Sequence, residues 1–116
     1  MTRVLLVEDD DDLREAMTYL LARFGVEVAS AACGREAVAL YEEFLPHVVL
    51  LDIRLPDISG LEVLELINLS DHRSHVFFVS GSPEALGSRT PAQLGAAGFL
   101  DKPVDIERLR SLIQSL

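Results

Sequence analysis

The sequence contains a single cysteine, Cys33. That excludes an internal disulfide and any metal site built on thiolates. A lone thiol is ordinary in a reducing compartment, and Cys33 reads as a small residue near a helix start. Positive charge is also scarce: 10 Lys and Arg stand against 19 Asp and Glu, for a formal net charge of −9. This balance argues against direct binding to nucleic acid or an anionic membrane, while remaining compatible with a metal cation. No apolar run is long enough to span a bilayer. Residues Met1 to Val7 are not a secretory signal, because their apolar stretch is short and acids follow at once. A cytoplasmic location is expected. Gly/Ser linkers and internal sequence repeats are absent, so one domain over residues 1–116 is expected, with no effector domain within these residues.

What is present is an alternation. With 49% of its residues apolar, the chain can build a core without covalent staples. Short apolar runs occur at Val4–Val7, Val26–Ala29, Val48–Leu51, Val76–Val79 and Gly98–Leu100. Runs of this kind suit strands covered on both faces. Between them lie segments with helical spacing. Leu13, Ala16, Met17, Leu20, Leu21 and Phe24 form one helix face, with Asp12 and Glu15 as a capping box and Gly25 as the stop. Gly34 to Phe44 gives a second helix, ended by Pro46. Leu61, Leu64 and Ile67 line a third, and Ile106, Leu109, Ile113 and Leu116 a last one. Ser82 to Ala97 is less regular. Gly87 and Pro91 break any long helix there, and Thr90 could cap a short one that begins at Pro91.

The alternation predicts an α/β fold: a five-stranded parallel sheet of flavodoxin-like order 2-1-3-4-5, an (α/β)5 arrangement with helices on both faces and a short or irregular fourth helix. In such sheets a site forms at the carboxyl ends of the strands, where strands 1 and 3 part. The residues standing there are Glu8 and Asp9, Asp52, Ser80 and Lys102. Singly, each has an ordinary explanation. The acids from Glu8 to Asp12 suit a helix start, Asp52 a turn before Pro56, Ser80 a turn, and Lys102 a solvated surface. Their coincidence at one sheet edge is what carries meaning. Three converging carboxylates repel one another unless a cation intervenes, and hard oxygen donors favour Mg²⁺. A carboxylate can act as nucleophile and form an acyl phosphate. The transferring group then needs charge neutralisation, which a metal and Lys102 can supply.

Val4-Leu5-Leu6-Val7-Glu8-Asp9-Asp10, Val49-Leu50-Leu51-Asp52 with Leu55-Pro56-Asp57-Ile58-Ser59-Gly60, Val79-Ser80-Gly81, and Gly98-Phe99-Leu100-Asp101-Lys102-Pro103 together resemble the receiver domain of response regulators, including the single-domain chemotaxis type. The resemblance implies that Asp52 is the phosphoacceptor. Glu8, Asp9, Asp52 and the backbone carbonyl of Arg54 would hold Mg²⁺, with Lys102 contacting the phosphoryl group. Ser80 and Phe99 would be the switch pair, and Arg54 and Ser82 would tune hydrolysis. The bond before Pro103 is often cis in this family, which the sequence alone does not decide. Departures from the family pattern are Glu8 in place of the commoner Asp, Leu55 in place of Met, a Phe99 that lacks a hydroxyl, and the broken stretch from Ser82 to Ala97, which implies an unusual output surface.

The expected partners are a sensor histidine kinase or histidine phosphotransfer protein and an unknown output protein or domain. The chain is not expected to be an enzyme beyond its own phosphorylation and dephosphorylation. The alternative is a phosphorylation-independent adaptor, against which the intact Asp52–Lys102 set argues. A Mg²⁺-dependent phosphatase is disfavoured because Arg54 stands where such enzymes usually carry a second acid. A nucleotide-binding module is disfavoured because acids, not a glycine-rich loop, follow the first strand.

Overall fold

The protein's structure, a computed structural model, describes residues 1–116 apart from the Pro83 side chain. Its elements in chain order are β1 (Arg3–Val7), α1 (Asp11–Arg23), β2 (Glu27–Ala31), α2 (Gly34–Phe44), β3 (Val48–Asp52), α3 (Gly60–Ile67), β4 (His75–Ser80), two short 3₁₀ turns (Pro83–Leu86 and Ala92–Leu94), β5 (Gly98–Asp101) and α4 (Ile106–Gln114). The strands form one parallel sheet in the order β2-β1-β3-β4-β5.

The apolar runs become strands because side chains alternate between two covered faces. Leu5, Val7, Val49, Leu51 and Phe78 face a core shared with Ala37 and Tyr41 of α2 and Val63, Leu64 and Ile67 of α3. Val4, Leu6, Val48, Leu50, Phe77 and Val79 face the other core, closed by Met17 and Leu21 of α1 and Leu109 and Ile113 of α4. Each fully buried side chain of this size contributes about 1.5–3 kcal/mol relative to exposure.

Several boundaries differ from the sequence reading. β2 starts at Glu27 and runs to Ala31, two residues beyond the expected end. It is an edge strand, only its last residue is fully buried, and its apolar signal is correspondingly weak. α1 is capped by Asp10, not by Asp12 and Glu15: Asp10 Oδ1 accepts from the Leu13 N–H at 3.0 Å. In a run of four aspartates the pattern alone does not single out the capping residue. Gly25 ends the segment as expected, with φ of 82°. Leu116 lies beyond α4 and is half-exposed, so it does not line the core.

The chain has four α-helices rather than five, since two 3₁₀ turns occupy the expected irregular stretch. Gly87 and Gly95 there adopt φ of 67° and 87°. Thr90 and Gln93 exchange two hydrogen bonds around the second turn, each backbone N–H donating to the other's side-chain oxygen. Leu86 and Ala96 pin the stretch to the α2–α3 side of the sheet.

Candidate functional site

The topology places the ends of β1, β3, β4 and β5 along one edge. Among the described residues, the buried polar or charged side chains are Glu8, Asp52 and Ser80, at 3%, 5% and 3% exposure. All three stand at that edge. Two buried carboxylates side by side are costly unless they are neutralised and hydrogen-bonded. Lys102, the only lysine in the sequence, pairs with both. Its Nζ lies 2.8 Å from Glu8 Oε1 and 3.0 Å from Asp52 Oδ2. The remaining oxygens are also used: Glu8 Oε2 accepts from the Asp10 N–H at 3.0 Å, and Asp52 Oδ1 from the Arg54 N–H at 3.1 Å. Burial alone would lower the basicity of Lys102, but its hydrogen bonds to Glu8 and Asp52 outweigh that and raise its pKa above the ordinary value.

Lys102 is set in place by the sheet, since its N–H donates to the Ser80 carbonyl at 3.0 Å. The Lys102–Pro103 bond, left open by the sequence, is cis. Asp9 is exposed and completes a group in which carboxylate oxygens of Glu8, Asp9 and Asp52 lie within 4.8 Å of one another. Three hard oxygen donors with more negative charge than Lys102 balances are the donor chemistry a small divalent cation requires.

The remaining named residues are less tightly gathered. Ser80 Oγ accepts from the Ser82 N–H at 3.0 Å, so in this state its hydroxyl is engaged with Ser82. Phe99 is half-buried and packs against the α2–α3 core. Arg54 is exposed and Ser82 half-buried.

Comparison with known proteins gives this edge its context. The family model for the response regulator receiver domain matches residues 4–114. The chain belongs to that family. The response regulator GacA of Pseudomonas aeruginosa is 33% identical over 118 residues, covering all of this chain and 55% of the relative. A CheY-like receiver domain from Methylobacillus flagellatus superposes with a TM-score of 0.90 at 28% identity, covering 99% of this chain and 98% of that one. The response regulator TrrA of Thermotoga maritima, solved in complex with Mg(2+)-BeF, superposes with a TM-score of 0.87 at 26% identity, again covering 99% and 98%. The chain spans between a quarter and just over half the length of the first curated relatives it matches. It is thus a receiver domain of two-component signalling, with the five-stranded sheet and acidic edge expected of one.

Two residues of this receiver's site region escaped the sequence reading. Arg14, on α1, donates from Nη1 to the Glu8 carbonyl at 2.9 Å and from Nη2 to Asp11 at 2.6 Å, bracing the acidic loop. Its spacing from Asp11 signals the ion pair but not the reach to Glu8. Asp57 accepts from the Gly34 N–H at 2.8 Å and the Arg35 N–H at 2.9 Å. The signal for it was negative: Cys33, the residue that caps α2, makes no side-chain cap bond. The Arg35 N–H foremost, with that of Gly34, holds the Asp57 carboxyl well below the usual carboxylate range.

Proposed function

We propose that Asp52 accepts a phosphoryl group from a phosphohistidine on a sensor kinase or phosphotransfer protein. One Asp52 oxygen attacks phosphorus, the donor's P–N bond breaks, and imidazole departs as the acyl phosphate forms. Glu8, Asp9, Asp52 and the Arg54 carbonyl would hold Mg²⁺, whose charge, when it is bound, offsets that of the transferring oxygens. Lys102 exchanges its contact with Asp52 for one with the phosphoryl oxygens and so keeps its charge at the reacting centre. The Ser80 hydroxyl leaves Ser82 and donates to the phosphoryl group, and Phe99 follows it inward. The face around residues 82–97, β5 and α4 is then read by an output protein or domain. Arg54 and Ser82 flank the acceptor and tune the rate at which water removes the group. The chain acts on no separate substrate, and a cytoplasmic setting suits it.

The observation that carries this reading is the buried Glu8–Lys102–Asp52 arrangement with Ser80 at the same sheet edge. It is tested by intact mass after incubation with acetyl phosphate. Wild type gains one phosphoryl group only with Mg²⁺, and Asp52→Asn gains none. No gain in wild type with Mg²⁺ would instead favour the phosphorylation-independent adaptor.

A further inference from the structure

We infer that Asp57 is a positioning residue for the acidic pocket: it tethers the loop after the acceptor to the first turn of α2, and so keeps the Arg54 carbonyl presented to the cation. This inference rests on the reading of the pocket as a Mg²⁺ site.

The loop leaves the sheet at Asp52 and enters α3 at Gly60. Its two ends are fixed. Arg54 N–H donates to Asp52 Oδ1 at 3.1 Å, and Gly60 N–H donates to the Ile53 carbonyl at 2.8 Å. Between these anchors, Asp57 and Ile58 both dock on α2. A Cβ at Gly34 would overlap the Ile58 side chain, so the missing side chain makes Ile58's seat. Asp57 spans two backbone N–H groups of the same turn, 2.8 Å from Gly34 N and 2.9 Å from Arg35 N. The Arg35 donor is free for it because Cys33 supplies no cap, and the Gly34 donor lies at the first helical position, outside the reach of a local cap. Its negative charge also sits at the positive end of the helix dipole, in keeping with the depressed pKa. Arg35 Nε, 3.9 Å away, adds little. Asp57 thus does for α2 what a local capping residue would do, but from the loop that carries the acceptor. A local cap would stabilise α2 equally well and leave the loop untethered.

That difference makes the test. Asp57→Asn removes the charge and one acceptor oxygen, and presents an amide NH₂ to a backbone N–H. Cys33→Ser adds a local cap at a residue whose φ of −151° and ψ of 168° suit one. Mg²⁺ affinity is read from amide chemical shifts of residues 8–10 and 52–54, and stability from thermal unfolding. Asp57→Asn should weaken Mg²⁺ about ten-fold, the scale on which residues that orient metal ligands act. Asp57→Asn with Cys33→Ser should regain the unfolding midpoint but not the affinity. Wild-type affinity in Asp57→Asn, or affinity that returns together with stability in the double variant, would overturn the inference and leave Asp57 a cap alone. Should Cys33→Ser fail to restore stability, the affinity of folded Asp57→Asn well below its midpoint decides: weakened supports the tether, unchanged removes it. A wild type whose shifts do not respond to Mg²⁺ at all would overturn the metal reading itself, and this inference with it.

Discussion

Lys102 is the residue on which the pocket's electrostatics turn. It holds two buried carboxylates, Glu8 and Asp52, within 3.0 Å while keeping about a quarter of its own side chain exposed. Truncating it leaves both acids buried and facing each other. A fully buried pair broken this way costs about 3–5 kcal/mol, and the exposure of Lys102 reduces that to about 2 kcal/mol. Lys102→Ala should therefore unfold at lower urea near neutral pH. Part of the loss should return on adding Mg²⁺, whose charge takes the place of the lysine's. An unchanged urea midpoint would show that the two acids are not coupled through this lysine. The raised Lys102 pKa fixes the alkaline behaviour as well. Its contribution is complete below the ordinary value of 10.5 and is lost as pH rises above it, so the alkaline limb of stability should be shallower in Lys102→Ala than in wild type.

At the scale of elements, the loop from Ile53 to Gly60 does the most to shape the site. A Cβ at Gly60 would overlap the Asp52 carbonyl oxygen and crowd Ile53 Cα at 2.8 Å. Both are backbone atoms that cannot rotate away. Gly60→Ala should cost about 1–3 kcal/mol in chemical denaturation and slow modification by acetyl phosphate, because the displaced main chain is the one that bears the acceptor. A variant with both properties unchanged would contradict the close packing of α3 onto β3. The other end of the loop is testable by acid. Asp57 titrates below its ordinary value of 3.8, so its stabilisation is present above that value and is lost as pH falls through and below it. The stability difference between wild type and Asp57→Asn should shrink across that window. A difference independent of pH would show that the carboxylate charge is not what α2 responds to.

At the scale of the molecule, what was legible in the sequence follows burial. β1, β3 and β4 are covered on both faces, and their continuous apolar runs gave away the strands, while the strand–helix alternation pointed to the parallel sheet and its flavodoxin-like order. β2, at the edge, carries a diluted pattern, and its ends were misplaced. Gly87 and Pro91 were enough to forecast a short or irregular fourth helix between β4 and β5, where the structure has two 3₁₀ turns. Glu8, Asp52, Ser80 and Lys102 were legible because each directly follows or ends a strand, and topology alone brings those positions together. Asp57 was not, because its contact joins residues 22 and 23 positions apart and exists only because α2 lacks a cap of its own. The same topology puts Asp52 at one end of the sheet and the irregular stretch from Ser82 to Ala97 beside β4 and β5, the face on which the proposed switch would be read. The most direct measurement of the central claim is borohydride trapping after phosphorylation, which reduces an aspartyl phosphate to homoserine, followed by peptide mass mapping. The account predicts homoserine at position 52 and nowhere else, and only when Mg²⁺ is present. Homoserine at another acid such as Asp9, or none in a protein that has gained phosphoryl mass, would contradict it.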